Sequence, residues 1–383
     1  MTATIGGEGE ASDRTDVVVG VRSSAQPVIS VCMITRDRPE ALDACLLALQ
    51  SQVDAPPYEL LVGCHGDEAS AEVVRARFPS ATVGVFDRAN LGGARNQLIE
   101  LARGELLLFL DDDVMFDDDL LSVLAKLAEK HPEASVFGGP NLTPPHSSLL
   151  QQVQGATLAS VFGAGPVRRR YGLYPAGAAD DRAFTLCNLA VRRDVAVPFA
   201  PKLSGGEENA MLKELADESR LMWYDPQFLV YHERRRTYFE FARQMEKYGR
   251  GRGQVMFHKP GSFRLVYLVP AFLVFWLVSI PIVSVLVWSW WWLTLVAYSA
   301  FLVVAGVSAA RKMQASSRRG SLGAVVLAAV FTATIHVCYG VGLLRGLLRT
   351  PEAPVTTWTM HSEAAHSETA EPEPNPVVQS ARL

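Results

Sequence analysis

The sequence predicts an α/β domain built on a doubly wound, mostly parallel sheet, followed by an interfacial helix and an α-helical transmembrane region. Three observations carry that expectation. Between residues 27 and 236, short β-branched runs alternate with helical stretches of about 10 to 15 residues, the rhythm of strand–helix–strand units. From Leu265 to Ala310 no residue is charged, and a bilayer span needs roughly 20 apolar residues. Between these regions, YFEFARQMEKYGRGRGQVMFHK mixes aromatic and basic residues, as in a helix lying at a membrane surface.

PVISVCMIT reads as the first strand, and RPEALDACLLALQSQ follows it with apolar residues at helical spacing. YELLVGC is a second strand and DEASAEVVRARF a helix. ATVGVF is a third strand, and GGARNQLIELARG opens on glycines and continues as a helix. ELLLFL is the fourth strand, and it runs directly into Asp111, Asp112 and Asp113. In doubly wound sheets ligands bind beyond the carboxyl ends of the strands. Three adjacent carboxylates there suit a hard cation, Mg²⁺ or Mn²⁺, which shares its coordination with substrate phosphates. The competing use of aspartate, capping the next helix, is assigned to Asp117, Asp118 and Asp119 ahead of LLSVLAKLAEKH.

At 383 residues the chain exceeds a single typical core, and its formal net charge of −4 argues against a broad nucleic-acid-binding surface. Residues 1–26 are Gly-, Ala- and acid-rich and are expected to be disordered. Residues 27–236 form the α/β domain and 237–263 an interfacial amphipathic segment. Residues 264–346 hold two or three membrane helices, at about 265–287, 289–310 and 322–344, and 347–383 form a disordered tail. The tryptophans between Trp288 and Trp292 suit a membrane–water interface. Lys247, Arg250, Arg252, Lys259 and Arg264 precede the first span, and Arg311, Lys312, Arg318 and Arg319 follow the second. Both clusters place the α/β domain on the cytoplasmic side of a multi-pass cell-membrane protein. Arg345 and Arg349 after the third segment pull the same way, so that segment either exits or is re-entrant. Cys32, Cys45, Cys64, Cys187 and Cys338 are scattered, form no C-x-x-C pair, and read as reduced, small apolar residues.

Five stretches in order, spanning about Pro27 to Gly253, resemble the inverting family 2 glycosyltransferases of GT-A fold. They are VCMITRDRPEALDACLLALQSQ, NLGGARNQLIELARGELLLFLDDD, CNLAVRRD, LSGGEENAML and WYDPQFLVYHERRRTYFEFARQMEKYGRGRG. The resemblance implies a nucleotide-sugar half (27–130) and an acceptor half (131–236). It implies attack of an acceptor hydroxyl on the sugar carbon of a nucleotide diphosphate sugar. Asp113 would hold a metal, with Asp111 and His232 completing its site, and Asp111 or Asp112 would contact the ribose. Arg95 would reach the nucleotide, Gly92 and Gly93 would let the backbone approach it, and the basic turn Thr35, Arg36 and Arg38 joins the donor set. Arg234, Arg235 and Arg236 suit a pyrophosphate or a lipid phosphate. Glu208 takes the place of the catalytic base, with Glu207 in reserve.

Two departures matter. Gly63 and Cys64 stand where the family has a carboxylate contacting the nucleotide base, so the base is left open, with Asp67 or Glu68 as substitutes. QMEKY, with Lys and Tyr replacing Arg and Trp of the Q-x-x-R-W signature, counts against a processive polymer synthase. The acceptor is expected to be a lipid-linked molecule or a glycan, in cell-envelope polysaccharide or glycolipid synthesis. The competing readings are a catalytically decayed membrane scaffold, a sugar-nucleotidyltransferase and a transporter. The second lacks its Gly-rich, lysine-bearing loop, and the third lacks ionisable residues in the spans apart from His336.

Overall fold

The computed structural model describes residues 18–19, 26–66, 68–86, 91–200, 203, 205–313 and 320–348. Its main sheet contains β1 (Val18–Val19), β2 (Ile29–Thr35), β3 (Tyr58–His65), β4 (Thr82–Phe86) and β5 (Leu106–Asp111). It is completed by β7 (Ala134–Gly138), β9 (Gly177–Ala178), β10 (Asn188–Arg192) and β11 (Leu221–Tyr224), in the order β1-β4-β3-β2-β5-β10-β7-β11-β9. A second, small sheet joins β6 (Val114–Met115), β12 (Val230–His232) and β8 (Asn141–Leu142) in the order β6-β12-β8.

The sheet is parallel from β4 through β3 and β2 to β5. Beyond β5 it departs from the mostly parallel sheet that strand–helix alternation predicts. β10 lies antiparallel between β5 and β7, with Asn188 opposite Leu110 and Arg192 opposite Leu106. It follows a long irregular stretch instead of a crossover helix, so nothing forces it to enter from the parallel end. The reversal starts β10 beside the carboxyl end of β5. Val18–Val19, inside the expected disordered segment, pair antiparallel with β4. The rest of 1–25, Asp67, Arg318, Arg319 and the tail from 349 lie outside the described residues.

Helices α1 (Pro39–Gln50), α2 (Glu68–Arg77) and α4 (Leu120–Lys130) cover one face of the sheet, and α3 (Leu91–Leu101) and α7 (Glu207–Asp217) the other. Both faces of β5 are therefore buried: Leu106, Leu108 and Leu110 pack into the first core, Leu107 and Phe109 into the second. That is why its sequence is a continuous apolar run instead of an alternation. Asp119 occupies the N-cap position of α4 without a side-chain cap hydrogen bond, so Asp117–Asp119 do not cap as expected.

The remaining helices are α5 (Leu149–Leu158), α6 (Val161–Ala164), α8 (Tyr238–His258), α9 (Val269–Leu286), α10 (Thr294–Ala310) and α11 (Leu322–Leu348). The segments Leu265–Leu286, Ser289–Ala310 and Leu322–Leu348 are each long and apolar enough to cross a membrane. α8 runs parallel to α11. Near its start Tyr238 Oη is 2.9 Å from Thr334 Oγ1, and further on Arg345 Nη1 lies 3.2 Å from Glu246 Oε1. Glycines let the two backbones touch. A Cβ on Gly249 would stand 2.1 Å from the Tyr339 carbonyl oxygen, and one on Gly342 2.1 Å from that of Glu246. Gly249→Ala is therefore expected to lower the unfolding temperature in detergent, overpacking a tight contact costing about 1–3 kcal/mol. Gly261→Ala, with nothing within 4 Å of the added carbon, should leave it unchanged.

Candidate active site

The carboxyl ends of β2 and β5 lie side by side, with Ile34 opposite Asp111. β12 pairs with β6 so that His232 lies opposite Val114, the residue after Asp113. Strand pairing thus delivers the histidine to the aspartates from more than a hundred residues away in sequence. Each of the three aspartates has a different partner. Asp113 Oδ1 lies 3.2 Å from His232 Nε2, and its Oδ2 accepts from Arg38 Nη1 at 2.5 Å. Asp112 Oδ2 accepts from Thr35 Oγ1 at 2.7 Å, and its Oδ1 lies 3.5 Å from Arg38 Nη1. Asp111 Oδ2 accepts from the Cys187 thiol at 3.1 Å.

These environments push the neighbouring acids apart. Burial raises Asp112 to about 6, aided by the charges of Asp113 and Asp111 and opposed by Thr35 and Arg38. Burial also opposes ionisation of Asp113, but His232, Arg38 and Arg235 outweigh it and hold that carboxyl at about 2. Among the described residues no group of three or more His, Cys, Asp or Glu is arranged to hold a metal ion. Asp111, expected in the metal set, is turned to Cys187 instead. Asp113 and His232 form a two-donor pair. Mg²⁺ and Mn²⁺ are commonly held by one or two protein ligands with substrate phosphates supplying the rest. The pair therefore fits a cation that arrives with a diphosphate, not a preformed protein cage.

On the acceptor side the GGEEN turn opens α7. Gly206 has φ +77°, a left-handed conformation open to glycine, and it sets the two glutamates in the first helical turn. The two side chains are used differently. Glu207 is buried, and its Oε1 lies 2.7 Å from Arg95 Nη1. Glu208 is partly exposed, and its Oε1 accepts from Asn209 Nδ2 at 2.8 Å. Burial and the charge of Glu207 raise the Glu208 carboxyl above the ordinary glutamate range, against Arg170 and Arg95. Arg95→Ala would leave Glu207 buried without its partner. We expect it to cost about 3–5 kcal/mol in chemical denaturation, with Glu207→Gln in the same chain recovering part of the loss.

The expected donor arginines separate. Arg95, which the resemblance would bring to the nucleotide, is paired with Glu207, while Gly92 and Gly93 lie in the first turn of α3. Arg36 is exposed and lies 3.6 Å from Asp37. Arg234 points into the protein, where Nε donates to Thr143 Oγ1 at 3.1 Å and its plane lies over Tyr171, 5.3 Å from the ring centre. Arg235 acts electrostatically on Asp113, and Arg236 is exposed beside Glu233. At the departure from the family pattern, Gly63 is covered by Phe86 and Ile34, Cys64 is buried, and Glu68 pairs with Arg75.

Sequence reasoning missed Asn209, Arg170, Arg252 and Cys187. Asn209 Oδ1 accepts from Arg170 Nη2 and from Arg252 Nη2, each at 2.8 Å. No local pattern marks these arginines, because they come from a 3₁₀ turn and from α8 and meet only in the fold. Arg252, Lys259 and Arg264, read as part of a basic flank, are bound to Asn209, Glu214 and Asp181 of the α/β domain.

Residues 30–184 match the model of Glycosyl transferase family 2. A TPR repeat-containing protein of Synechococcus elongatus is 30% identical over 116 residues, 30% of this chain and 27% of that protein, so the chain spans only about a quarter of that relative. The mannosyltransferase PcManGT of Pyrobaculum calidifontis, in complex with GDP-Man and Mn²⁺, superposes with a TM-score of 0.50 at 15% identity, over 85% of this chain and 88% of that one. S. aureus TarS residues 1–349 superpose with a TM-score of 0.42 at 14% identity, over 80% and 89% of the two chains. With its parallel half-sheet ending on Asp111–Asp113, the chain has a GT-A-type fold in which residues 30–184 match the Glycosyl transferase family 2 model, continued by three helices apolar enough to cross a membrane.

Proposed function

We propose that the protein is a membrane-anchored, inverting, cation-dependent glycosyltransferase working at the cytoplasmic face. It moves a sugar from a nucleotide diphosphate donor to a lipid-linked acceptor, in cell-envelope polysaccharide or glycolipid synthesis. The observation that carries the reading is the division between the two glutamates: Glu207 is buried and ion-paired with Arg95, while Glu208 is partly exposed and held by Asn209. Single-base displacement needs one such carboxylate on the acceptor side.

The acceptor oxygen attacks the anomeric carbon as the bond from that carbon to the donor phosphate breaks. The electron pair leaves with the diphosphate, and the hydroxyl proton passes to Glu208. Asp113 and His232 would hold the cation, which when bound offsets the charge on the leaving diphosphate. Thr35 and Arg38 hold Asp112 and Asp113 in place at the donor end. Asn209, clamped by Arg170 and Arg252, orients Glu208.

A lipid-linked acceptor is supported by a cavity of about 470 Å³ lined by Phe162, Tyr171, Tyr248, Leu273, Ile335 and other largely apolar residues. It opens between the apolar helices and the α/β domain. Tyr171, in its wall, lies within electrostatic reach of Cys187 and Glu208.

Thermal-shift measurements on the detergent-purified protein test this reading, using a panel of nucleotide sugars with and without Mn²⁺. One nucleotide class should stabilise the protein only with the cation, by about 2.7 kcal/mol at a hundredfold excess over Kd. The product anomer is then read by NMR. Retention of the donor configuration would rule out the mechanism, and absence of transfer with every donor would favour the decayed scaffold.

A further inference from the structure

We propose that α11 lies lengthwise along the membrane surface and does not cross the bilayer. The hairpin end where α9 turns into α10 then reaches deepest into the membrane, and the chain beyond Leu348 stays on the side of the transferase domain. This holds whatever the donor and acceptor are.

Transferase-side elements hold α11 at its beginning, middle and end. At the beginning, Ala324, Ala328 and Phe331 pack with Val153 and Ala156 of α5. α5 is tied to the domain by Gln151 Nε2, which donates to the Arg234 carbonyl at 2.8 Å, and Gln154 Nε2, which donates to that of Arg235 at 2.9 Å. Lys312, at the end of α10, donates to the Tyr174 hydroxyl at 3.1 Å. In the middle, His336 Nε2 lies 2.7 Å from the Phe162 carbonyl oxygen of α6. At the end, the Gly342 and Gly346 backbone rests on that of Glu246 and Arg250 in α8. α8 is itself anchored to α7 through Arg252 and Asn209.

A helix of 27 residues is about 40 Å long, and the hydrocarbon core is about 30 Å thick. Were α11 to cross, α5 and α8 of one water-side domain would have to reach opposite leaflets. α8 could not accompany it, because Arg243, Lys247 and Arg250 are exposed along α8. Each cation at bilayer depth costs at least about 2.5–3.5 kcal/mol. The acid nearest that face, Glu246, is already paired with Arg345.

Exposure agrees. No residue from 331 to 344 is fully exposed: α8 covers this stretch on one side, and the proximal parts of α9 and α10 meet it on another, with Gly340 against Pro270 and Tyr298 Oη 3.1 Å from His336 Nδ1. Before it, Leu322, Val326 and Val330 form an exposed apolar stripe. That stripe and the cationic edge of α8 suit a leaflet carrying anionic headgroups. Exposed apolar residues also run along α9 and α10, and exposure peaks just where α9 ends, at Val285 and Val287, which are 81% and 80% exposed.

The test places single reporters in the full-length chain, Ser12→Cys in one variant and Ser362→Cys in another. Sealed membrane vesicles of both orientations are treated with a membrane-impermeant maleimide. Four of the five native cysteines are buried and Cys338 is partly so, and the parent chain supplies the background. Both positions are expected to react in the same vesicle orientation, and reaction in opposite orientations would overturn the proposal. Epitope tags at the two ends, shaved by protease from the same vesicles, give an independent reading. Loss of both tags from one orientation supports an in-plane α11, and loss from opposite orientations means that it crosses.

Discussion

Glu208→Gln is expected to lower turnover by about 10²- to 10⁴-fold while leaving donor affinity close to that of the parent. Glutamine preserves the side chain's size and its hydrogen bond from Asn209, but it cannot take the acceptor's proton. The parent's pH profile carries the same signature. Burial and the charge of Glu207 hold the Glu208 carboxyl above the ordinary glutamate value. The base works only when ionised, so the rate should fall as pH drops through that raised pKa and level off above it. The acid limb should lie above the ordinary 4.5, and Glu208→Gln should abolish it. Glu207→Gln is expected to change turnover less and stability more, because it breaks the buried pair with Arg95. Steady-state kinetics and donor titration separate the outcomes. The opposite ranking would move the base to Glu207, and an unchanged rate in both variants would remove the mechanism.

Asp113→Asn should abolish the part of nucleotide binding that depends on a divalent cation. Loss of affinity should exceed the roughly 10- to 100-fold that follows removal of a mere outer-shell partner. Asp113 faces His232 on one oxygen and Arg38 on the other, and it stays ionised to about pH 2, so it presents a charge across the working range. Asparagine retains the shape and loses the charge. Titration of a nucleotide diphosphate with Mn²⁺, with and without EDTA, reads the effect. Equal affinity in parent and variant under both conditions would remove Asp113 from the cation site. Asp118→Asn is the control: it follows the small sheet, away from the Asp113–His232 pair, and should leave nucleotide binding unchanged.

Local pattern alone determined much of this protein. The continuous apolar run of β5 implies a strand buried on both faces, and a carboxylate cluster at its end implies a site there. The uncharged run from Leu265 to Ala310 implies membrane helices, because each inference needs only periodicity or hydropathy over a few neighbouring residues. GGEEN likewise marks its own turn, since Gly206 needs the conformation that glycine tolerates. Tertiary structure alone decided which partner each of these groups obtained. Arg95 could have met a phosphate and instead meets Glu207, 112 positions away. Arg234 turns inward under strand packing that places Asn141 and Thr143 beside it. The antiparallel entry of β10 sets Cys187 against Asp111, and glycines on α8 and α11 join a polar helix to an apolar one. Pairings of this kind depend on contacts between distant segments, and the energy that selects among them is realised only when those segments are packed.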